Sequence, residues 1–322
     1  MLKRKLGLYL KKNRKLKAIW SLLVNINLIL FHWKEREKKI SDGNEDPKTT
    51  YYVIRPRGTT EGLLSTYFYV LESCFYAYQN NYVPIVDFAS VNCQYYTGRD
   101  INGTKNAWEY YFRQPNMINE SYIKGKKNII LSGWKLRKDN KIKFSQDNVN
   151  QFQDIIEKID IQDYIKKMVD EAWKSQFEGK NVLGVFLRGT DYVALKPTGH
   201  NVQPTISQMI SKIEEFLEKY NNDKIFVVTE DYSYFMQLQE KFGDRVFSYS
   251  NQFIENYSGT DYIEKDFSDD SYQRGLQYLI RILLLSRCEY QICSIASGSS
   301  FSRLFRLESP RDEYWFDLGL YE

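Results

Sequence analysis

The second half of the chain alternates buried-strand patterns with helix patterns, and this alternation constrains the fold more than any other feature. Residues 181–189 (NVLGVFLRG) form a short apolar run that ends in polar residues. Pro204–Tyr220 then places apolar residues three and four positions apart, as one buried helix face requires. Residues 224–231, 272–288 and 291–296 continue the strand–helix–strand order. The pattern predicts a doubly wound α/β sheet.

The first half repeats this pattern more weakly. Residues 51–55 (YYVIR) are typical of a strand, and a long apolar helix pattern at 62–80 leads to a second strand pattern at 82–88. A further strand pattern follows at 128–133. We therefore predict two α/β domains, residues 46–170 and 171–322.

The N-terminus is basic and then apolar. Residues 1–17 carry eight Lys or Arg and no acid, although the whole chain has a net charge of only +4. Residues 18–33 are apolar but contain Asn25 and Asn27, and they are shorter than the roughly 20 residues of a spanning helix. We interpret residues 1–33 as a helix on an anionic membrane surface at the cytoplasmic face. A buried helix of the first domain and a signal anchor are the alternatives.

The polar segment 41–50 is interpreted as a linker, so residues 1–45 form an arm and linker before the first domain. Without the basic arm the body is mildly acidic, which argues against a nucleic-acid partner.

Several classes of site are excluded by the residues that are missing. Only His32 and His200 occur, the four cysteines form no CxxC pair, and no metal site is predicted. Neither a GxxxxGK[ST] nor a GxGxxG motif is present, which argues against a P-loop nucleotidase and a dinucleotide enzyme. The cysteines are expected to be reduced.

Three segments should meet at one edge of the second sheet. Ligands of doubly wound sheets bind beyond the carboxyl ends of the strands, where Leu187–Tyr192, Thr229–Asp231 and Ser294–Ser302 are predicted to lie. Arg188 offers a planar, permanently charged fork that suits phosphate oxygens. The serine-rich turn would begin a helix, whose first N–H groups favour an anion. Together they predict a diphosphate site.

The same residues carry a family resemblance. The segment 186–192 (FLRGTDY) is similar to the H-x-R-x-G-D strand end of the GT-B fucosyltransferase superfamily, with Phe186 where that pattern has histidine. Residues 228–233 (VTEDYS) and 297–302 (SGSSFS) resemble its T-D-D and S-x-F-S motifs. Gly58 and Gly62 before the first long helix resemble its N-terminal loop. The superfamily includes α-1,6-, α-1,2- and protein O-fucosyltransferases, and the likeness covers roughly residues 50–310.

This resemblance implies a GT-B fold, in which two Rossmann-like domains face each other across a cleft. It also implies an enzyme of bacterial surface-polysaccharide synthesis that moves a sugar from a nucleotide-sugar donor to a glycan or lipid-linked acceptor, without a metal or other cofactor. Arg188 would bind the donor pyrophosphate, and Asp191 would orient Arg188 or the acceptor. Further donor contacts are expected at Thr190, Thr229, Glu230, Asp231, Ser297, Gly298, Ser299, Ser300, Phe301 and Ser302. The acceptor side would include Arg57, Gly58, Gly62 and Lys196.

Two points stay open at the level of sequence. Phe186 departs from the family pattern, and the helix pattern at 272–285 offers no obvious acid for a guanine, so GDP-fucose is the leading donor among several nucleotide sugars. His200 is the one histidine of the body and a candidate general base for an inverting transfer. A solvent-exposed loop histidine is the competing interpretation. A non-catalytic carbohydrate-binding protein is the alternative from another functional class.

Overall fold

The computed structural model describes residues 36–57, 61–90, 93–133, 143–250, 253–255, 257 and 270–322. The basic arm and Gly58 lie outside these ranges, so the membrane-surface helix stays a prediction. Among the helices of the described ranges, none is long and apolar enough to cross a membrane.

The first sheet contains β1 (Lys38–Ile40), β2 (Glu45–Ile54), β3 (Val83–Val86) and β4 (Lys126–Leu131) in the order β1-β4-β2-β3. The strands β4, β2 and β3 are parallel, and β1 is antiparallel to β4. Helix α1 (Leu63–Gln79) makes the crossover from β2 to β3. The predicted linker at 41–50 is wrong for Glu45–Thr50, because backbone pairing with β4 recruits this polar segment into β2.

The second sheet is fully parallel. It contains β5 (Val182–Phe186), β6 (Lys224–Val228), β7 (Val246–Phe247), β8 (Tyr290–Ser294) and β9 (Asp312–Phe316) in the order β7-β6-β5-β8-β9. Two helices, α2 (Gln153–Lys158) and α3 (Asp163–Gln176), precede this sheet in the chain. The helices that follow its first strand are α4 (Thr190–Leu195), α5 (Ile206–Tyr220), α6 (Tyr232–Phe242), α7 (Ser271–Ser286) and α8 (Ser297–Leu304). The winding direction reverses between β5 and β8, which makes their carboxyl ends the switch point where such folds bind ligands.

The segment between the sheets contains α2 (Gln153–Lys158) and α3 (Asp163–Gln176). Short 3₁₀ helices lie at Glu120–Ile123, Gln146–Gln151 and Gly243–Arg245. Helix α3 packs against α7 of the second half. The predicted boundary at 170/171 therefore falls inside α3.

The two halves share one buried core. Tyr67 of α1 packs edge-on against Phe301 of α8, with ring centroids 4.8 Å apart. The buried hydroxyl of Tyr111 donates to the carbonyl oxygen of Tyr272 at the start of α7, at 3.0 Å. Because apolar contacts and a buried hydrogen bond cross between the sheets, their relative position is fixed by packing.

We expect Tyr111→Phe to weaken this junction, since the change removes one buried hydrogen bond and keeps the ring. The free energy of unfolding should fall by about 1 kcal/mol, and the melting temperature by roughly 2–4 °C. Tyr122→Phe is the matched control, because Tyr122 is 46% exposed. Calorimetry of the two variants makes the comparison, and equal melting temperatures would contradict the role given to Tyr111.

Candidate functional site

A cleft of about 430 Å³ lies between the two halves. The first half contributes Glu61–Ser65, at the start of α1, together with Gln94 and Tyr95. The second half contributes the carboxyl ends of β5 and β6, the start of α8 and one face of α7. The cleft therefore opens at the switch point of the second sheet, as the strand pattern predicts.

Arg188 is the charged centre of the cleft. Only 17% of its side chain is exposed, and its Nη2 lies 3.0 Å from Oδ1 of Asp191. Nη1 lies 3.5 Å from Oε2 of Glu230, and the guanidinium covers the ring of Tyr192 at 4.7 Å. Burial acts to lower the pKa of Arg188, but the two carboxylates outweigh it and raise the pKa above its usual value. Arg188 is thus a permanently charged, pre-oriented guanidinium.

The turn after β5 is tied to the end of β6. The N–H of Gly189 donates to Oε1 of Glu230 at 3.0 Å, and the N–H of Thr190 donates to Oδ2 of Asp231 at 3.1 Å. A Cβ atom at Gly189 would lie 2.5 Å from that Asp231 oxygen, so only glycine fits. Thr190 adopts a φ of 43°, which is unusual for a β-branched residue. The close turn holds Arg188 at the edge of the cleft.

The serine-rich segment begins α8 beside Arg188. Ala296, Ser297 and Gly298 line the cleft, and the N–H groups of a helix's first turn have no partner within the helix. A Cβ atom at Gly298 would lie 2.4 Å from the hydroxyl of Tyr278 and 2.8 Å from the ring of Phe186. The backbone thus comes close to the cleft floor, with the positive end of the helix toward the cavity.

The rest of this segment faces away from the cavity. Ser299 is buried and donates to the carbonyl of Ser294 at 2.6 Å, while Phe301 packs in the shared core. Ser302 is fully buried, and the carbonyl oxygen of Ser300 accepts a hydrogen bond from Nε2 of Gln146. The side chains of Ser299, Phe301 and Ser302 are buried, and none of these four residues lines the cleft, so their expected contacts with a donor are not supported.

The three predicted residues at the end of β6, Thr229–Asp231, have different surroundings. Thr229 and Glu230 line the cleft. Asp231 caps α6 instead, since its Oδ1 accepts from the N–H of Ser233 at 2.9 Å and its Oδ2 holds Thr190. Thr190 itself is buried and donates its Oγ1 hydrogen to Glu230 at 2.9 Å. Asp231 and Thr190 therefore position the turn rather than face a ligand.

Of the predicted acceptor-side residues, Gly62 lines the cleft. Arg57 pairs with Glu61 and covers the ring of Tyr69 at 4.4 Å, outside the cleft lining. Lys196 is exposed at the end of α4. Arg57 and Lys196 are thus not brought to the cavity.

His200, the candidate general base, and Asp191 both line the cleft. His200 is exposed at its mouth, with Nδ1 3.3 Å from the hydroxyl of Tyr192. Asp191 is 1% exposed, and its Oδ2 has no hydrogen-bond partner within the described structure.

Sequence reasoning missed the side of the cleft that α7 forms. Arg274, Tyr278 and Arg281 all line the cavity. Their spacing of four and three residues places them on one helix face, and two arginines stand out in an otherwise strongly apolar helix. Two arginines on one face of an apolar helix are the sequence signal that could have predicted this side of the cleft.

A family model described as Nodulation protein Z (NodZ) matches residues 142–320, more than half of the chain. The chain belongs to the NodZ family. The match contains Arg188, α7 and the start of α8, so the second-half motifs lie in the family region. The predicted assignment to the fucosyltransferase superfamily and to the glycosyltransferases is confirmed, and the two α/β units facing a cleft agree with a GT-B fold.

Solved structures of NodZ and of POFUT1 are similar to this NodZ-family chain only at low identity. NodZ α-1,6-fucosyltransferase soaked with GDP-fucose has 14% identity and a TM-score of 0.48, covering 80% of this chain and 93% of that one. Fucosyltransferase NodZ from Bradyrhizobium has 15% identity and a TM-score of 0.47, covering 80% of this chain and 94% of that one. POFUT1 in complex with GDP has 11% identity and a TM-score of 0.45, covering 85% of this chain and 99% of that one. No curated protein sequence matches the chain.

Metal-ligating side chains do not converge in the part of this NodZ-family chain that the structure describes. No group of three His, Cys, Asp or Glu side chains there has the geometry of a metal site.

We expect Gly298→Ala to destabilise this NodZ-family protein, because the new methyl group would overlap the Tyr278 hydroxyl and the Phe186 ring. The free energy of unfolding should fall by about 1–3 kcal/mol in urea titrations. Gly62→Ala is the control across the cleft, since a Cβ atom there meets nothing within 4 Å. Adding Tyr278→Phe should recover part of the loss. No recovery would show that the hydroxyl contact is not the cause.

Proposed function

We propose that this protein transfers a sugar from a nucleoside-diphosphate donor to a hydroxyl of a glycan or lipid-linked acceptor, with inversion. The observation that carries the proposal is the buried, charged Arg188 beside the start of α8 at the switch point. A guanidinium fork and a helix N-terminus are both ligands for phosphate, and they flank the same cavity. GDP-fucose is the leading donor, because the motifs and the family are those of fucosyltransferases.

The proposed step breaks the bond between the sugar's anomeric carbon and the diphosphate oxygen. The bonding electrons stay with the diphosphate, whose terminal phosphate gains one negative charge. Arg188 and the first amides of α8 stabilise this charge, and they are oriented before the reaction begins. We propose that these groups act without a divalent cation, so that activity survives a chelator.

The acceptor hydroxyl must lose a proton as it attacks. We propose His200 for this role, because it stands at the cleft mouth in contact with solvent and so can pass the proton on. Asp191 is the second candidate. Its Oδ1 is engaged by Arg188, while its buried Oδ2 has no partner in the described structure.

Another nucleotide sugar is the second candidate donor. Phe186 lines the cavity where the family motif has histidine, and α7 presents arginines rather than an acid. Both features change the groups offered to the donor, so capsule or lipopolysaccharide synthesis from a different donor is the alternative function.

The direct test is a donor screen with the full chain. GDP, UDP and dTDP are compared by thermal shift, followed by hydrolysis and transfer assays on the matching sugar donors with and without EDTA. A ligand at about 100 times its Kd adds roughly 2.7 kcal/mol of stability, which a melting curve resolves. A protein that responds to none of the three nucleotides would contradict the proposal. Complete loss of activity in EDTA, restored by Mn²⁺, would contradict its metal independence.

Arg188→Lys should lower turnover at least about 100-fold, because the ammonium keeps the charge but loses the two-pronged hydrogen bonding. Arg287→Lys is the matched control, since Arg287 pairs with Asp170 outside the cleft. Steady-state kinetics with the donor found in the screen supply the measurement. Activity within about twofold of wild type would overturn the role of Arg188.

His200→Gln should lower turnover roughly 10²–10⁴-fold while the affinity for the nucleoside diphosphate changes little, because the phosphates are held elsewhere. The acidic limb of the turnover–pH profile should also vanish, since a general base acts only when deprotonated. Thr198→Ala, in the same exposed loop, is the control. Near-normal turnover with an unchanged acidic limb would transfer the role to Asp191.

A further inference from the structure

Arg281 is a buried guanidinium that the donor site described above does not use. It is 5% exposed, although it lines the cleft from α7. Its Nη1 donates to the carbonyl oxygen of Thr229 at 3.2 Å, and its Nε is buried with no hydrogen-bond partner in the described structure. A buried polar group without a partner costs free energy, so the contacts of the fold alone leave the guanidinium of Arg281 incompletely satisfied.

Arg281 also differs from Arg188 in its ionic contacts. Within the described ranges no carboxylate pairs with it, whereas Asp191 and Glu230 both pair with Arg188. Burial lowers the pKa of Arg281, yet an arginine keeps its proton in a protein. In the described part of the chain Arg281 is therefore a buried cation without a salt bridge, on which Glu230 acts only through its electrostatic field.

Arg281 and Arg188 both lie near the side chain of Tyr278. The guanidinium of Arg281 lies 6.0 Å from the centre of the Tyr278 ring. The hydroxyl of Tyr278 lies close to Gly298 at the start of α8, 2.4 Å from where a Cβ atom of that residue would be. Burial raises the pKa of Tyr278, while Arg188 and, more weakly, Arg281 oppose that rise, so both cations are within electrostatic reach of this phenol. Arg188, Arg281 and the first turn of α8 thus all lie near Tyr278 in the lining of one cavity.

We propose that Arg281 is a second phosphate-binding residue of the donor site, which with Arg188 clamps the diphosphate of a nucleoside-diphosphate sugar. A guanidinium has only hydrogen-bond donors, so its partner must be an acceptor, and the diphosphate is the most charged acceptor of such a donor. Because the terminal phosphate gains a negative charge as the sugar leaves, Arg281 binds the leaving group more tightly than the intact donor. This inference rests on the proposed function and adds a residue outside its motifs.

The test compares nucleoside diphosphates with the matching monophosphates by isothermal titration of the full chain, using GDP against GMP and UDP against UMP. Arg281→Met removes the charge and keeps the length of the side chain. The diphosphate affinity should fall roughly tenfold to hundredfold, while the monophosphate affinity changes less than about threefold. Arg287→Met, near the end of the same helix and paired with Asp170 outside the cleft, is the control.

Ligand-free stability gives a second, independent readout. If Arg281 is held for a ligand, Arg281→Met should melt at or above the wild-type temperature, because a buried charge without a partner is replaced by an apolar group. A variant that melts well below wild type would assign Arg281 to the fold and overturn the inference. Equal losses for diphosphates and monophosphates, or unchanged diphosphate affinity, would also overturn it. A wild-type protein that binds no nucleotide would instead reject the proposed function itself.

Discussion

The carboxylate of Glu230 holds together the part of the cleft where β5 and β6 end. It accepts the Gly189 N–H at 3.0 Å and the Thr190 hydroxyl at 2.9 Å, and its second oxygen faces Arg188 at 3.5 Å. One side chain at the end of β6 thereby fixes both the turn after β5 and the cation that the turn carries. Because these groups are buried, each contact is stronger than in water and each lost partner costs more. The strained backbone at Thr190 is held by the same contacts.

The shared core gives this arrangement its rigidity. The chain has 16% aromatic residues, a content that suits either a sugar-binding surface or an aromatic core. Many of these rings, including Tyr67, Trp108, Phe112 and Phe301, are buried where the two halves meet. The aromatic content therefore serves the contact between the halves in large part. Both sides of the cleft pack on this one core, so the charged groups stay at fixed distances. Stabilisation of a developing charge requires such fixed groups.

Two arginines of the cleft, Arg188 and Arg281, differ in their partners. Arg188 has two carboxylates, which hold its orientation, while Arg281 has a backbone carbonyl. The two acids stabilise the charge of Arg188 without a ligand, whereas Arg281 has no salt bridge within the described structure. This difference agrees with the proposed binding and release of a diphosphate at Arg281.

The amino-acid sequence by itself determined the strand–helix alternation of the second half, the position of Arg188 at a strand end and the start of α8, because these follow from local periodicity and short motifs. It also carried the family resemblance that the NodZ match confirms. Tertiary structure decided what periodicity does not encode. Backbone pairing drew Glu45–Thr50 into a strand, and the rotation of α8 turned Ser299, Phe301 and Ser302 away from the cleft. Arg281 became a cleft residue only because packing of α7 against the sheet aims one helix face into the cavity, and long-range packing of that kind is not written in any local segment.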